Sequence, residues 1–139
     1  MKNILFATDG SEASKGARNM ATEYLRAWPE SNLIVLYVTN HDAYAYDLVP
    51  EAVDKVESHM TEEIEKDTAA FFSSFGSRVQ FAHRTGHAAS TICAVSKEEE
   101  ADLIILGSHG HGAIDSLLLG SVAHGVLNRV HVPVLVVRH

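Results

Sequence analysis

The stretch Leu103-Ile104-Ile105-Leu106-Gly107-Ser108-His109-Gly110, followed after nine intervening residues by Gly120-Ser121-Val122-Ala123, decides the fold. Its apolar run, Leu103 to Leu106, reads as a strand buried on both faces, the signature of a parallel sheet. Beyond the glycines, Val122 to Arg129 reads as a short helix. A strand, a glycine loop and a helix N-terminus, in that order, form a place to hold an anion. Glycines let the backbone approach a ligand, and the unpaired N–H groups of a first helical turn point at it. A nucleotide phosphate is the anion this arrangement suits. The plainer alternative is a tight turn with a glycine that packs against a helix.

Working outward, the rest of the chain alternates in the same way. Asn3 to Ala7 reads as a buried strand, and Ser11 as the N-cap of the helix after it. Ala13, Ala17, Met20, Ala21, Tyr24 and Trp28 recur at helical spacing as that helix's inward face. Pro29 ends it, because the residue before a proline resists the α region. Leu33 to Val38 reads as a second strand. A looser segment follows, Thr39 to Val49, with Tyr44, Tyr46 and Asp47. Pro50 suits the first turn of a long second helix. Val53, Val56, Met60, Ile64, Phe71 and Phe75 supply its expected buried stripe, and Gly76 its C-terminal cap. Arg78 to His83 reads as a strand nearer the sheet edge. Ala88 to Glu99 reads as a third helix with Ile92 and Val95 inward, and Pro133 to Val137 as the last strand.

Strand and helix in alternation predict a single α/β domain over residues 1–139, with an open parallel sheet. In such sheets ligands lie beyond the carboxyl ends of the strands, where strand order reverses. Thr8-Asp9-Gly10, Val38-Thr39, Thr85-Gly86-His87 and the Gly107 to Gly110 loop all follow strands.

Composition bounds the partners. With 46% hydrophobic and 21% charged residues, the chain has the make-up of a folded globular protein. Its 11 basic and 18 acidic residues give a formal charge of -7, which argues against non-specific nucleic-acid binding and against docking on anionic lipid. The one cysteine, Cys93, excludes an internal disulfide. It reads as a small buried helix residue rather than a reactive thiol. The apolar run Ile4 to Ala7 is too short for a signal peptide, and no run approaches the roughly 20 residues of a membrane span. The expectation is a cytoplasmic protein with no membrane insertion.

The glycine loop is neither of the common phosphate motifs. A Walker A loop ends in Gly-Lys-Ser/Thr, and no lysine follows Lys97. A dinucleotide fingerprint places G-x-G-x-x-G after the first strand, where this chain has none. The missing lysine has a consequence. A helix N-terminus stabilises an anion by only about 0.3–1 kcal/mol when exposed, and up to about 2 when partly buried. Backbone N–H groups of Gly110, Gly120, Ser121 and Val122, with the Ser121 hydroxyl, add charge-assisted bonds. For a triphosphate that set is thin, so tight ATP binding is expected to need Mg²⁺ or Mn²⁺ bridging the phosphates.

Asp9 suits a ribose hydroxyl or a water-held metal; as a turn former it needs no ligand. The backbone of Val38 suits the edge of an adenine, and its side chain equally suits the core. Among nine histidines, His109 and His111 do not share a helix face, and no cysteine or carboxylate cluster completes a zinc pattern. No G-x-S-x-G elbow or other catalytic set is present in the sequence. Glu98-Glu99-Glu100 reads as a solvated helix end.

Taken together, these residues resemble the universal stress protein family over the whole chain. The likeness rests on Ile4-Leu5-Phe6-Ala7-Thr8-Asp9-Gly10-Ser11, Leu36-Tyr37-Val38 and Gly86. It continues through Asp102 to Gly110, Leu118-Leu119-Gly120-Ser121-Val122-Ala123 and Pro133-Val134-Leu135-Val136-Val137. The glycine spacing is similar to that of the family's nucleotide-binding branch. The resemblance implies a five-stranded sheet in the order 3-2-1-4-5 with helices on both faces. It also implies a homodimer whose last strands, Pro133 to Val137, pair across the interface; an open apolar edge there is a feature proteins avoid. It places Ala7, Thr8, Asp9 and Val38 around adenosine, and Gly107 and His109 near ribose and phosphates. Gly110, Gly120, Ser121 and Val122 then hold the phosphates. His111 stands where the family often has arginine or lysine, which points toward AMP or ADP as well as ATP. Ala88 stands where proline is frequent, and His124 where an acidic residue is common.

Three functions follow as expectations. The first is a homodimeric stress-response regulator that binds an adenine nucleotide and signals to a protein partner, with Thr39 to Val49 covering the base. The second is a slow ATPase, or a nucleotidyl or phosphoryl transferase. The third is a dimeric scaffold without ligand.

Overall fold

The computed structural model describes residues 1–40, 48–109 and 119–138. Five strands form one parallel sheet: β1 (Asn3–Thr8), β2 (Asn32–Thr39), β3 (Val79–Thr85), β4 (Leu103–Gly107) and β5 (Val134–Val137). Their order is β3-β2-β1-β4-β5, as the resemblance implies. The central strands are the apolar runs of the sequence. Ile4, Leu5, Phe6, Leu33, Leu36, Ile104 and Ile105 are all at most 1% exposed, which requires a covering layer on each side of the sheet.

Among the described residues, two α-helices lie on each face. On one, α1 (Lys15–Ala27) and α2 (Pro50–Phe71) cover Ile4, Phe6, Leu33, Val35, Leu103 and Ile105, through Ala17, Ala21, Leu25 and Phe72. On the other, α3 (Ala88–Glu98) and α4 (Ser121–Leu127) cover Leu5, Leu36, Ile104 and Leu106, through Ala89, Ile92, Val95, Ala123 and Val126. The alternation of strand side chains between these two cores is the period-two pattern of a strand. Cys93 packs against the second core from a half-buried position, and burial pushes its thiol pKa up, which suits a packing role.

Four local expectations are corrected. Ser11 is not a side-chain cap: a 3₁₀ turn, Glu12–Ser14, precedes α1, and the Ser11 hydroxyl makes no capping bond. Asp9 instead takes the Ser11 N–H at 2.9 Å, turning the chain one residue earlier. Trp28 is 46% exposed, and Leu25 takes its place in the core; the residue before Pro29 has already left the helix (φ -122°, ψ 82°). Val56 and Met60 are 60% and 44% exposed, because α2 turns Glu57, Thr61 and Thr68 toward the sheet instead. Gly76 does have positive φ (58°), but it lies inside the 3₁₀ stretch Ser73–Arg78, and Phe72 is the residue that ends α2. Pro50 opens α2 as expected, while Tyr44, Tyr46 and Asp47 fall outside the described residues.

Candidate functional site

The chain runs from β1 to β2 and β3 on one side, then crosses to β4 and β5 on the other, so strand order reverses between β1 and β4. In this architecture such a reversal is the usual ligand position, a crevice at the carboxyl ends of the strands. The sequence-predicted residues of the described regions gather around it. Ala7, Thr8 and Asp9 lie at the end of β1, Val38 at the end of β2, and Gly107 and His109 at and just beyond the end of β4. Gly120, Ser121 and Val122 begin α4. Gly110 and His111 lie outside the described residues.

The wall after β1 is a knot of short polar side chains. Thr8 Oγ1 meets Ser14 Oγ at 3.0 Å and accepts the Gly10 N–H at 3.0 Å. Ser14 Oγ donates to the Ser11 carbonyl at 2.8 Å. Gly10 has φ of 79°, and a Cβ there would press on Ile64 of α2 at 2.7 Å, so the turn tolerates only glycine comfortably. Ser11 is 9% exposed, and its Oγ has no hydrogen-bond partner among the described residues.

The opposite wall is the loop after β4, held at both ends. Ser108 donates its N–H to the Val137 carbonyl at 2.8 Å and accepts the Gly120 N–H at 2.6 Å. The second bond closes the glycine loop by tying its start to the N-cap of α4. It also commits the Gly120 N–H to the protein, so the donors left facing outward are those of the first turn of α4, beginning with Ser121 and Val122. Gly107 packs edge-on to the other wall: a Cβ would lie 3.2 Å from the Ala13 carbonyl. The Ser108 hydroxyl contacts His109 Nδ1 at 3.0 Å, and the buried His109 Nε2 has no hydrogen-bond partner among the described residues. Each wall therefore carries one buried, unsatisfied polar atom, a costly arrangement unless water or a ligand completes it.

The end of β2 adds a directed acceptor. The β1–β2 ladder stops at Thr8 opposite Tyr37, whereas the β2–β3 ladder runs on to Thr39 opposite Thr85. Gly86 donates to the Thr39 carbonyl at 2.8 Å, so the main chain of Thr39 faces β3. Successive residues of a strand turn their main-chain groups to opposite sides. The Val38 carbonyl thus faces the β1 side, past the last residue of that strand. Tyr37 stacks on His83 with ring centroids 5.5 Å apart. Burial, then the carboxylates of Glu57 and Asp9, pushes the Tyr37 phenol pKa up.

Thr39 and Thr85, expected at strand ends, meet Glu57 and His83 at this edge, and sequence periodicity missed the latter two. Thr39 and Thr85 donate to Glu57 Oε1 at 2.8 and 3.1 Å, and His83 Nε2 lies 3.2 Å from the same oxygen. The available signal was Glu57 itself, a carboxylate in line with Val53 and Ile64. Among the described residues, no group of three His, Cys, Asp or Glu side chains could hold a metal, and no helix is long and apolar enough to cross a membrane.

Comparison with known proteins agrees with this architecture. A model of the universal stress protein family matches residues 1–138. Universal stress protein Sll1654 of Synechocystis is 34% identical, over 98% of this chain and 85% of its own length. Universal stress protein UspA from Lactobacillus plantarum superposes with a TM-score of 0.85 at 26% identity, over 99% of this chain and 97% of that one. Two more distant structures share the fold. A universal stress protein in complex with cAMP has a TM-score of 0.73 at 23% identity, covering 98% and 96% of the two chains. One from Archaeoglobus fulgidus in complex with dAMP has a TM-score of 0.66 at 18% identity, covering 99% and 98%.

Proposed function

The chain belongs to the universal stress protein family, and on that premise we propose that the crevice between β1 and β4 binds an adenine nucleotide. The observation that carries this reading is that two of the three buried polar atoms without a partner among the described residues, Ser11 Oγ and His109 Nε2, lie on loops flanking the strand-order reversal. Relatives solved with cAMP and dAMP support the ligand class. The base lies against the end of β2, where the Val38 carbonyl accepts from the 6-amino group. Guanine presents an oxygen there and is disfavoured, because two acceptors then face each other. Ala7, Thr8 and Asp9 line the sugar, with Gly107 and His109 between sugar and phosphates. Gly110, Ser121 and Val122 hold the phosphates, and Gly120 shapes their loop.

The donors suit a metal only in one way. With Asp9 as the carboxylate of the crevice, Mg²⁺ or Mn²⁺ arrives on the phosphates of ATP and keeps most of its waters. The ion neutralises phosphate charge in the absence of a loop lysine. AMP and ADP need less of that help.

The protein acts as a homodimer and a stress-response regulator. β5 stands at the sheet edge with Val134 to Val137 half-buried. Pairing of Pro133 to Val137 with a second copy covers that edge. Nucleotide then changes recognition by a protein partner through its preference for one conformation. Mass spectrometry of ligand released from freshly purified protein tests the reading. An adenine nucleotide is expected; a different co-purifying ligand in the crevice contradicts it.

A further inference from the structure

We infer that Glu57 is a positioning residue that sets base selectivity from beneath the crevice, an inference that rests on the nucleotide reading above. Glu57 lies on the sheet-facing side of α2 with its side chain 14% exposed, where an apolar residue would dock the helix without burying a charge. The carboxylate is kept there by donors. Its Oε1 accepts from Thr39 Oγ1 at 2.8 Å and from Thr85 Oγ1 at 3.1 Å. The Thr39 hydroxyl has one hydrogen, already given to Glu57. The 2.8 Å contact between Thr39 Oγ1 and His83 Nε2 therefore runs from ring to hydroxyl, and His83 carries a proton on Nε2. That same N–H is 3.2 Å from Glu57 Oε1. One carboxylate oxygen thus gathers two hydroxyl donors from the ends of two strands, with the His83 ring beside it.

The placement explains what is being held. Tyr37, Thr39, His83 and Thr85 share the α2 side of the sheet, in register as Tyr37↔His83 and Thr39↔Thr85. Val38, between Tyr37 and Thr39, packs its side chain on the opposite core. Beyond Thr8, β1 no longer flanks β2, so Val38 and Thr39 are fixed by β3 on one edge and by Glu57 from the α2 side. Removing Glu57 takes away the Thr39 hydroxyl's acceptor and leaves it only His83 and Thr85, where, among the described residues, β1 no longer pairs with β2. The Val38 carbonyl then loses its fixed direction, and a directed acceptor is what separates a 6-amino from a 6-oxo purine.

The test measures AMP and GMP affinities by calorimetry for the full-length wild type, Glu57→Ala, Glu57→Gln and Thr39→Val. Amide exchange at Gly86, whose N–H reports the Thr39 carbonyl without any ligand, is followed in parallel. The AMP-to-GMP affinity ratio is expected to fall about five- to tenfold in Glu57→Ala and Thr39→Val, the loss of one directed hydrogen bond. Glu57→Gln, whose amide oxygen still accepts from both threonines, retains most of the ratio. Gly86 exchange accelerates in the alanine variant. An unchanged ratio with wild-type AMP binding intact overturns the positioning role and leaves the nucleotide reading standing. If Glu57→Ala does not fold, Thr39→Val alone decides, by the same ratio. A wild type that binds neither nucleotide overturns the functional reading, and this role with it.

Discussion

Gly120 gives its N–H to the Ser108 carbonyl at 2.6 Å, and a Cβ on Gly120 would stand 2.9 Å from that same oxygen and 3.2 Å from the Cα of His109. Both obstacles are backbone, so they cannot rotate away. The backbone angles of Gly120 (φ -67°, ψ 160°) suit any residue, so close approach is the reason for glycine here. Gly120→Ala is expected to push the glycine loop off the start of α4. The cost is about 1–3 kcal/mol of stability by overpacking, with a loss of nucleotide affinity of about tenfold or more. Thermal melts with and without AMP measure both effects.

A second glycine holds two helices together. A Cβ on Gly125 of α4 would lie 2.7 Å from the Cβ of Ala89 in α3. Alanine is favoured over glycine in a helix by about 1 kcal/mol, yet here the helices must separate to admit it. Gly125→Ala is predicted to destabilise by about 1–2 kcal/mol net. Chemical denaturation checks the sign: a stabilised variant contradicts the packing argument.

Arg78 closes the far end of α1. Its guanidinium donates to the carbonyls of Leu25 at 2.8 Å, Trp28 at 3.0 Å and Ser31 at 2.9 Å. These acceptors include carbonyls that the end of the helix leaves unpaired, where positive charge is also favoured. Arg78→Ala is expected to cost about 2 kcal/mol, and Arg78→Lys about half of that, since one ammonium cannot reach all three. Urea unfolding of the three proteins gives the comparison.

Asp102 provides a pH-dependent tie across the amino ends of the strands. Its Oδ2 accepts the N–H of Asn3 at 2.9 Å and of Lys2 at 3.0 Å. The Asn3 bond first, and the Lys2 bond second, hold its carboxyl below the usual value of 3.8. A carboxylate with a lowered folded pKa contributes stability above the unfolded value, and that contribution disappears as pH falls through the folded one. Asp102→Asn is therefore expected to be less stable than wild type at pH 7. The gap closes as the pH drops below 3.8. Melting curves across that range check it; a gap independent of pH contradicts the assignment.

How much of this was legible in the sequence depended on what holds each element. Ile4 to Ala7 and Leu103 to Leu106 are buried on both sides, so an unbroken apolar run announces them. Ala17 and Ala21 follow a clean helical period and lie inward as expected. α2 does not, because Glu57, Thr61 and Thr68 face the sheet, and a count of apolar spacing chooses Val56 and Met60 instead. Ser11 looks like a cap because hydroxyls usually cap, but its hydroxyl accepts no N–H, and the Ser14 N–H bonds the Ser11 carbonyl instead. The glycine loop was visible by spacing alone. That its closure runs through Ser108 was not, since the bond joins residues twelve apart through the main chain.

The central claim is that the crevice between β1 and β4 holds an adenine nucleotide, and calorimetric titration of the purified protein with AMP tests it most directly. The account predicts a saturable site in each chain that is weakened by Gly120→Ala. Absence of binding by AMP, repeated with ADP and with ATP in Mg²⁺, contradicts it.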